Sequence, residues 1–365
     1  MNEKVLIVIE SLAQGGAETV AVNLANGLAK RGKTVCVCAA TGPLRPRLAP
    51  GISFVELPRF GFPALARILM RLRGVVKSFK PDIIHSQNAT HGLLIRLLFL
   101  FRAHPRCVFT YHSTRTERMP DLFSGLVFNF IADKIIAIAE HRRRSLLKAG
   151  VKPGKLYSVP NFINAGDWKS KKISFDRRLF RQEAGLGAYD AVLLISARLI
   201  PAKNVDLFLR IVNEVRKTGS NVAGIVLGDG PEMPDLKNTA RLLGLGERVL
   251  FTGFSEDVSR YYFASDIFVF PSRHREVLPM ALIEACASGL PIICSDIPGN
   301  DEIVRNGENG FLLSGAERDY SERIISLLND PVLYGKFSEN AVSLAQNLFG
   351  EEVCIAKILK IYDEQ

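Results

Sequence analysis

The chain has 365 residues, 47% of them apolar and 23% charged, which is too long for one ordinary core and excludes a disordered, collagen-like or low-complexity protein. Its net charge of +10 is unevenly spread: residues 1–165 hold 24 Lys and Arg against 9 Asp and Glu, and residues 166–365 hold 23 against 28. Such asymmetry bears on partners and not on fold. The six cysteines form no CxxC pair. Cys36 and Cys38 would share one face of a strand, with poor geometry for a mutual disulfide and too few ligands for zinc, so all six read as reduced core residues of a cytoplasmic protein. The N-terminal MNEKVLIVIE has acids where a signal peptide is basic, and the most apolar stretch, residues 93–101, is about half a bilayer span and contains Arg96, so no membrane crossing is expected.

In chain order, VLIVIE (5–10), TVCVCAA (34–40), DIIHSQ (82–87), CVFTYHS (107–113) and KIIAIA (134–139) are short runs rich in Val and Ile, with helical patterns such as AETVAVNLANGLAKRG between them. The alternation repeats with AVLLISA (191–197), AGIVLGDG (223–230), RVLFTG (248–253), DIFVFPS (266–272), PIICSD (291–296) and GFLLS (310–314). Strands alternating with helices imply parallel sheets covered on both faces. The expectation is therefore an α/β protein of two Rossmann-like, doubly wound domains. The first covers 1–165 and the second 166–348, joined near VPNFINAGDW (159–168), where Pro160 and Asn161 disfavour regular structure. The helical tail, 349–365, either caps the second domain or crosses back to the first. Ligands of such sheets sit at the carboxyl ends of the strands, which makes the interdomain cleft the expected site.

The chemistry-bearing residues fall at those strand ends. GGAE places Gly15 and Gly16 between the first strand and first helix, where free backbone N–H groups suit an anion; a plain tight turn is the other reading. ARLIPAKN puts Arg198 and Lys203 in the loop after the first strand of the second domain, two cations suited to a diphosphate. GDGP (228–231), with Asp229 and Gly230, ends the next strand, and PSRHREVLPMALIEA then supplies Glu276 and Glu284, eight positions apart around an apolar run that reads as a helix start.

The order GGAE, ARLIPAKN, LGDGP, VLFTGF, ASDIFVFPSRHREVLPMALIEACASGLPIICSDIPGNDEIV and ENGFLL resembles that of the retaining glycosyltransferases of family 4, which have the GT-B fold; the likeness spans nearly the whole chain and is strongest over 191–315. The resemblance implies that Arg198 and Lys203 neutralise the departing diphosphate of a sugar donor, and that Glu284 accepts hydrogen bonds from the ribose. It implies that Glu276, with the following backbone of Val277, Leu278 and Pro279, holds the sugar ring and its phosphate. Gly15 and Gly16 match a loop near the donor phosphates, His112 in TYHS a histidine near the transferred sugar, and Asp229 and Gly230 a turn near the nucleotide. Two departures stand out. Val277 and Leu278 replace a glycine and an aromatic, and a β-branched residue resists positive φ, so donor preference or loop shape is expected to differ. Asn204 replaces a glycine after the lysine, a change asparagine accommodates.

The implied reaction is transfer with retention from a nucleoside-diphosphate sugar, most of all a UDP-sugar, to a glycan or lipid-linked acceptor, with no cofactor, no metal and no protein nucleophile. ALARILMRLRGVVKSFK (64–80) can be drawn as an amphipathic helix with Arg67, Arg71, Arg73 and Lys77 around an apolar side, and HRRRSLLK (141–148) adds basic charge. Such segments suit the anionic inner face of a cytoplasmic membrane or simply pack on a sheet with their arginines in water; no nucleic-acid module is recognisable. A sugar-nucleotide epimerase of the same architecture and a non-catalytic nucleotide-sugar-binding subunit remain as alternatives.

Overall fold

The computed structural model describes residues 3–364 except 14, 101–102, 113–121 and 275. It divides into two compact units, Met1–Phe162 with Glu351–Gln365, and Ile163–Gly350. The first is built from β1 (Lys4–Ser11), α1 (Gly16–Lys30), β2 (Thr34–Ala40), β3 (Ser53–Glu56), α2 (Leu65–Phe79), β4 (Ile83–Ser86), α3 (Ala89–Leu98), β5 (Arg106–Tyr111), α4 (Leu122–Ile131), β6 (Lys134–Ala137), α5 (Glu140–Lys148) and β7 (Leu156–Ser158). The second is built from α6 (Ala165–Ile173), α7 (Arg177–Glu183), β8 (Ala191–Ser196), α8 (Val205–Lys217), β9 (Val222–Leu227), α9 (Met233–Leu242), β10 (Val249–Gly253), α10 (Ser259–Ala264), β11 (Ile267–Phe270), α11 (Met280–Ser288), β12 (Ile292–Ser295), β13 (Gly310–Leu313), α12 (Glu317–Asn329) and α13 (Pro331–Asn347). A last helix, α14 (Glu351–Asp363), returns to the first unit.

The first sheet is parallel, in the order β3-β2-β1-β4-β5-β6-β7. Helices cover it, so its inner strands are apolar on both faces: Val5, Leu6, Ile7 and Val8 of β1 are all fully buried. One core cluster sets Leu6, Val8 and Ile84 against Ile68 and Leu72 of α2 and Ile95 of α3. Another sets Phe109 and Ile135 against Phe128 of α4 and Leu146 of α5. The apolar side of α2 is thus turned into the sheet, while Arg67, Arg71, Arg73 and Lys77 point to water. Of the two readings the sequence left for this helix, packing on the sheet accounts for its apolar stripe.

Between the two placements open for the tail, α14 takes the one on the first unit. Gly27 of α1 leaves room for Ile355, since a Cβ there would stand 2.9 Å from its side chain. Tyr362 ends α14 against β4, its hydroxyl 2.6 Å from Nδ1 of the buried His85, whose Nε2 lies 2.6 Å from Thr110 Oγ1 of β5.

The second sheet, also parallel, runs β10-β9-β8-β11-β12-β13. Its core gathers Leu193, Ile195, Val226 and Val269 under the stripe Phe208, Leu209, Ile211, Val212 and Val215 of α8. In both sheets the strand order reverses beside the first strand of the unit, between β1 and β4 and between β8 and β11. A doubly wound sheet opens a crevice at such a point, because its flanking loops leave in opposite directions. All six cysteines are buried and free. Among the described residues no helix is long and apolar enough to cross a membrane.

Candidate active site

The reversal point of the second sheet is where its charged groups meet. β8 delivers the loop 197–204 and β11 delivers the loop 271–279. Lys203 Nζ donates to Glu276 Oε1 at 2.6 Å, and Ser272 Oγ donates to the same oxygen at 2.9 Å. Glu276 is buried, and an ionised carboxylate out of water needs such partners. Lys203 Nζ also lies 5.3 Å from the centre of the Phe270 ring, an attractive cation–π placement. Arg198 stands exposed on the same loop as Lys203.

Backbone and amide contacts fasten the two loops together. Arg273 Nε donates to Asn204 Oδ1 at 2.8 Å, Asn204 Nδ2 donates to Pro271 O at 3.1 Å, and Arg273 N donates to Ala202 O at 2.9 Å. Asn204 holds φ 53°, ψ 44°, the left-handed conformation that glycine takes freely and that asparagine tolerates best among the other residues. Val277 needs no such conformation: Lys80 and Asn204 are the only non-glycine residues with positive φ among the described residues. Val277 and Leu278 are instead buried side chains. The strained position is Gly299 at φ +99°, where a Cβ would lie 2.3 Å from Glu276 O, so the 297–300 turn can lie against the glutamate loop only without a side chain.

Pro279 caps the start of α11, and Glu284 sits in its second turn. Tyr262 Oη donates to Glu284 Oε2 at 2.9 Å. Burial, reinforced by the Glu284 carboxylate, raises the Tyr262 pKa well above the usual phenol value, so the hydroxyl keeps its proton and remains a donor. Asp229 and Gly230 occupy a different place from the ion pair. Leu199 N donates to Asp229 O at 2.9 Å, and a Cβ on Gly230 would meet Leu199 O at 2.4 Å, so the GDGP turn braces the segment that carries Arg198.

Among the described residues, the reversal point of the first sheet carries two glycines, an amide and an imidazole, with the Glu18 carboxylate beside Gly15. Gly15 caps α1 with extended backbone, and a Cβ there would lie 2.2 Å from Glu18 Oε2. Gly16 opens the helix. At the ends of β4 and β5, Gln87 and His112 meet, with Gln87 Oε1 2.6 Å from His112 Nε2. Packing around the imidazole pushes its pKa down to about 4, so at neutral pH the ring is uncharged; facing a carbonyl oxygen, Nε2 carries the proton and Nδ1 is left as an acceptor. Gln87 is buried, and its Nε2 finds no hydrogen-bond partner among the described residues.

Residues 176–343 match the family model for glycosyl transferases group 1, and residues 14–166 match that for glycosyltransferase family 4. The chain belongs to the family 4 type of glycosyltransferases. It is 27% identical over 356 residues to the Escherichia coli UDP-Gal:alpha-D-GlcNAc-diphosphoundecaprenol alpha-1,3-galactosyltransferase, covering 89% of this chain and 87% of that one. It is 25% identical over 368 residues to the N-acetyl-alpha-D-glucosaminyl L-malate synthase of Bacillus anthracis, covering 95% and 93%. Among solved structures, Anabaena HepE in complex with UDP and glucose matches 100% of both chains at a TM-score of 0.83 and 20% identity. WaaG, a glycosyltransferase involved in lipopolysaccharide biosynthesis, matches 99% of this chain and 100% of its own at 0.76 and 17%. These likenesses establish the GT-B fold.

In this glycosyltransferase the residues singled out from sequence separate into groups. Arg198, Lys203 and Glu276 share the second reversal point, Glu284 lies one helix turn beyond, and Gly15, Gly16 and His112 belong to the first unit. Sequence reasoning missed Ser272, Tyr262, Gly299 and Gln87. Ser272 and Gln87 immediately follow or close strand runs already recognised, and a polar residue at that position is the signal that could have found them. One further cluster, His104, Cys107 and Asp133, has the spacing to hold an ion. It lies at the amino ends of β5 and β6, the edge opposite the strand ends just described, and Arg96 Nη1 already approaches His104 Nε2 at 2.6 Å while Asp133 Oδ2 accepts from Cys107 N. A guanidinium in that corner leaves little for a second cation to gain.

Proposed function

We propose that this glycosyltransferase moves a hexose-type sugar from a nucleoside-diphosphate sugar, in first place a UDP-sugar, to a glycan or lipid-linked acceptor of cell-surface polysaccharide or lipopolysaccharide assembly, with retention and without a metal ion. The observation that carries the reading is the meeting of Lys203, Ser272 and the buried Glu276 at the reversal point of the second sheet, on loops that also hold Arg198. Relatives that use UDP-Gal, or that bind UDP, favour uridine as the base.

In the reaction the bond from the anomeric carbon to the diphosphate oxygen breaks, and negative charge grows on the leaving phosphate. Arg198 and Lys203 are fixed cations placed where that charge develops, and they are worth most in a site closed to water. The acceptor hydroxyl forms its bond on the same face, and its proton passes to the departing phosphate oxygen. Glu276 positions Lys203 and the sugar hydroxyls, and Glu284, oriented by Tyr262, takes the ribose. The acceptor is presented at the inner face of the cytoplasmic membrane, in keeping with the basic surface of the first unit.

A thermal-shift screen of UDP, GDP, ADP and their sugars, with Arg198→Ala and Glu284→Ala as controls, tests the donor. Stabilisation by uridine nucleotides alone, lost in both variants, is expected; indifference to every nucleotide would overturn the reading. Proton NMR of the first product should show the anomeric configuration of the donor, and activity should persist in EDTA. An inverted product, or activity abolished by EDTA and restored by manganese, would refute those two features.

A further inference from the structure

Of the basic segments singled out in the sequence, α2 exposes one large apolar side chain, Met70, at 65%. The other most exposed apolar residues on the helices of the first unit gather on α3 and α4. In α4, Leu122, Phe123 and Leu126 are 69%, 73% and 63% exposed, and Phe130 continues the same stripe at the spacing of helix turns. The opposite side of α4 supplies the buried Phe128 and Ile131, so apart from Ser124 and Asn129 the helix is apolar, with half of it in water. An ordinary surface helix is polar on that side. In α3 and just beyond, Leu93, Leu97 and Leu100 form a second exposed stripe, with Arg96 among them at helical spacing. The Arg96 guanidinium lies 5.9 Å from the Phe130 ring centre, which brings the two stripes together as one patch.

Around this patch the exposed charge of the described helices is basic. α2, α3 and α4 contain no Asp or Glu, and Asp133, just after α4, is ion-paired to Arg96. α2 packs beside α3 and exposes Arg67, Arg71, Arg73 and Lys77. On the other side, Gly125 of α4 lies directly on Ala149 at the end of α5, where Arg144, Lys148 and Lys152 are exposed. A contiguous apolar patch with a basic rim matches one surface by its chemistry, an anionic lipid bilayer, into whose headgroup layer leucine and phenylalanine sink while lysine and arginine stay with the phosphates.

We infer that the α3–α4 face of the first unit inserts into an anionic membrane surface, with Leu122, Phe123 and Leu126 entering the lipid and the arginines of α2 with Lys148 and Lys152 at the end of α5 as its electrostatic collar. This sharpens the membrane element of the proposed function, but its test needs no sugar transfer, so the two stand or fall separately. The purified full chain is floated with vesicles of phosphatidylcholine, with and without phosphatidylglycerol, at low and high salt. Binding to the anionic vesicles is expected, weakened by salt. Phe123→Ser with Leu126→Ser should reduce it by about tenfold or more, since each exposed side chain gains roughly that from burial. Arg67→Glu with Lys148→Glu should reduce binding to anionic vesicles alone. Unchanged thermal unfolding shows that the variants fold, as substitutions at such exposed sites allow. Vesicle binding that ignores the Phe123 and Leu126 substitutions would overturn the inference. So would absence of binding together with a concentration-dependent dimer that the same substitutions dissolve, because the patch would then cover a second copy of the chain.

Discussion

The two sheets share a topology and differ in what they hold at the point where the strand order reverses. The first unit carries 26 Lys and Arg against 13 Asp and Glu, yet among the described residues it places no cation there, only glycines, an amide, an uncharged imidazole and the Glu18 carboxylate. The second carries 21 against 24, yet it places two cations and a buried carboxylate there. The charge of a unit is therefore a poor guide to the charge of its site. Much of the excess positive charge of the first unit lies on the outside of α2 and at the far end of α5, while Arg142 is buried in the first turn of α5. Under the proposed function the contrast becomes a division of labour, with the second sheet meeting the anion and the first offering hydrogen-bonding groups to hydroxyls.

The sharpest way to break that contrast is to remove the charge from the second sheet. Lys203→Ala leaves Glu276 buried without its cation and takes one positive charge from the proposed leaving group; kcat/KM for sugar transfer should fall by roughly a hundredfold or more, with a smaller change in donor affinity. Gly299→Ala tests the same loop from behind. A Cβ at φ +99° and 2.3 Å from Glu276 O forces the glutamate loop to move, so unfolding free energy should drop by about 2 kcal/mol and activity should drop with it, as denaturant melts and initial rates would show.

Acid separates the units in another way. Burial lowers the pKa of His85 to about 3 and of His91 and His112 to about 4, and all three lie in the first unit. Unfolded histidine titrates near 6.5, so between pH 6.5 and 4 the unfolded chain binds more protons than the folded one. The stability these neutral rings contribute is complete above pH 6.5 and is lost as pH falls toward 4, on the order of 2–3 kcal/mol for each at most. Hydrogen exchange by mass spectrometry, corrected for intrinsic rates, should show the first unit opening before the second over that window. Opening of both together would contradict the assignment. The smallest effect is expected from Tyr362→Phe, which removes one hydrogen bond to His85; about 1–2 kcal/mol of stability should go, read as faster exchange along α14 with little change in donor binding.

The sequence disclosed the inner strands because they are buried on both faces and read as unbroken apolar runs. It concealed β3 and β7, and these are the two edges of the first sheet. Their sequences, SFVE and LYS, are short and half exposed, so they lack the signal that marks a doubly covered strand. Arg198, Lys203 and Glu276 were legible from the motifs that contain them. Ser272 and Gln87 were not, because Ser272 matters through the fold of its own loop back onto Glu276, and Gln87 through His112, which the pairing of β4 with β5 brings beside it. The helix of 64–80 was legible as an amphipathic segment, but periodicity alone does not say whether an apolar stripe faces a sheet or a lipid. Burial of Ile68, Leu72 and Val75 decides for the sheet, and, Met70 apart, the exposed apolar surface turns up on α3 and α4.

The central claim is that the charged reversal point of the second sheet receives the nucleotide-sugar phosphates, and hydrogen exchange in the presence and absence of UDP tests it most directly. The account predicts slowed exchange in residues 197–204 and 271–284, lost in Lys203→Ala. Protection confined to the loops after β1, β4 and β5, with residues 197–204 and 271–284 unchanged, would contradict it.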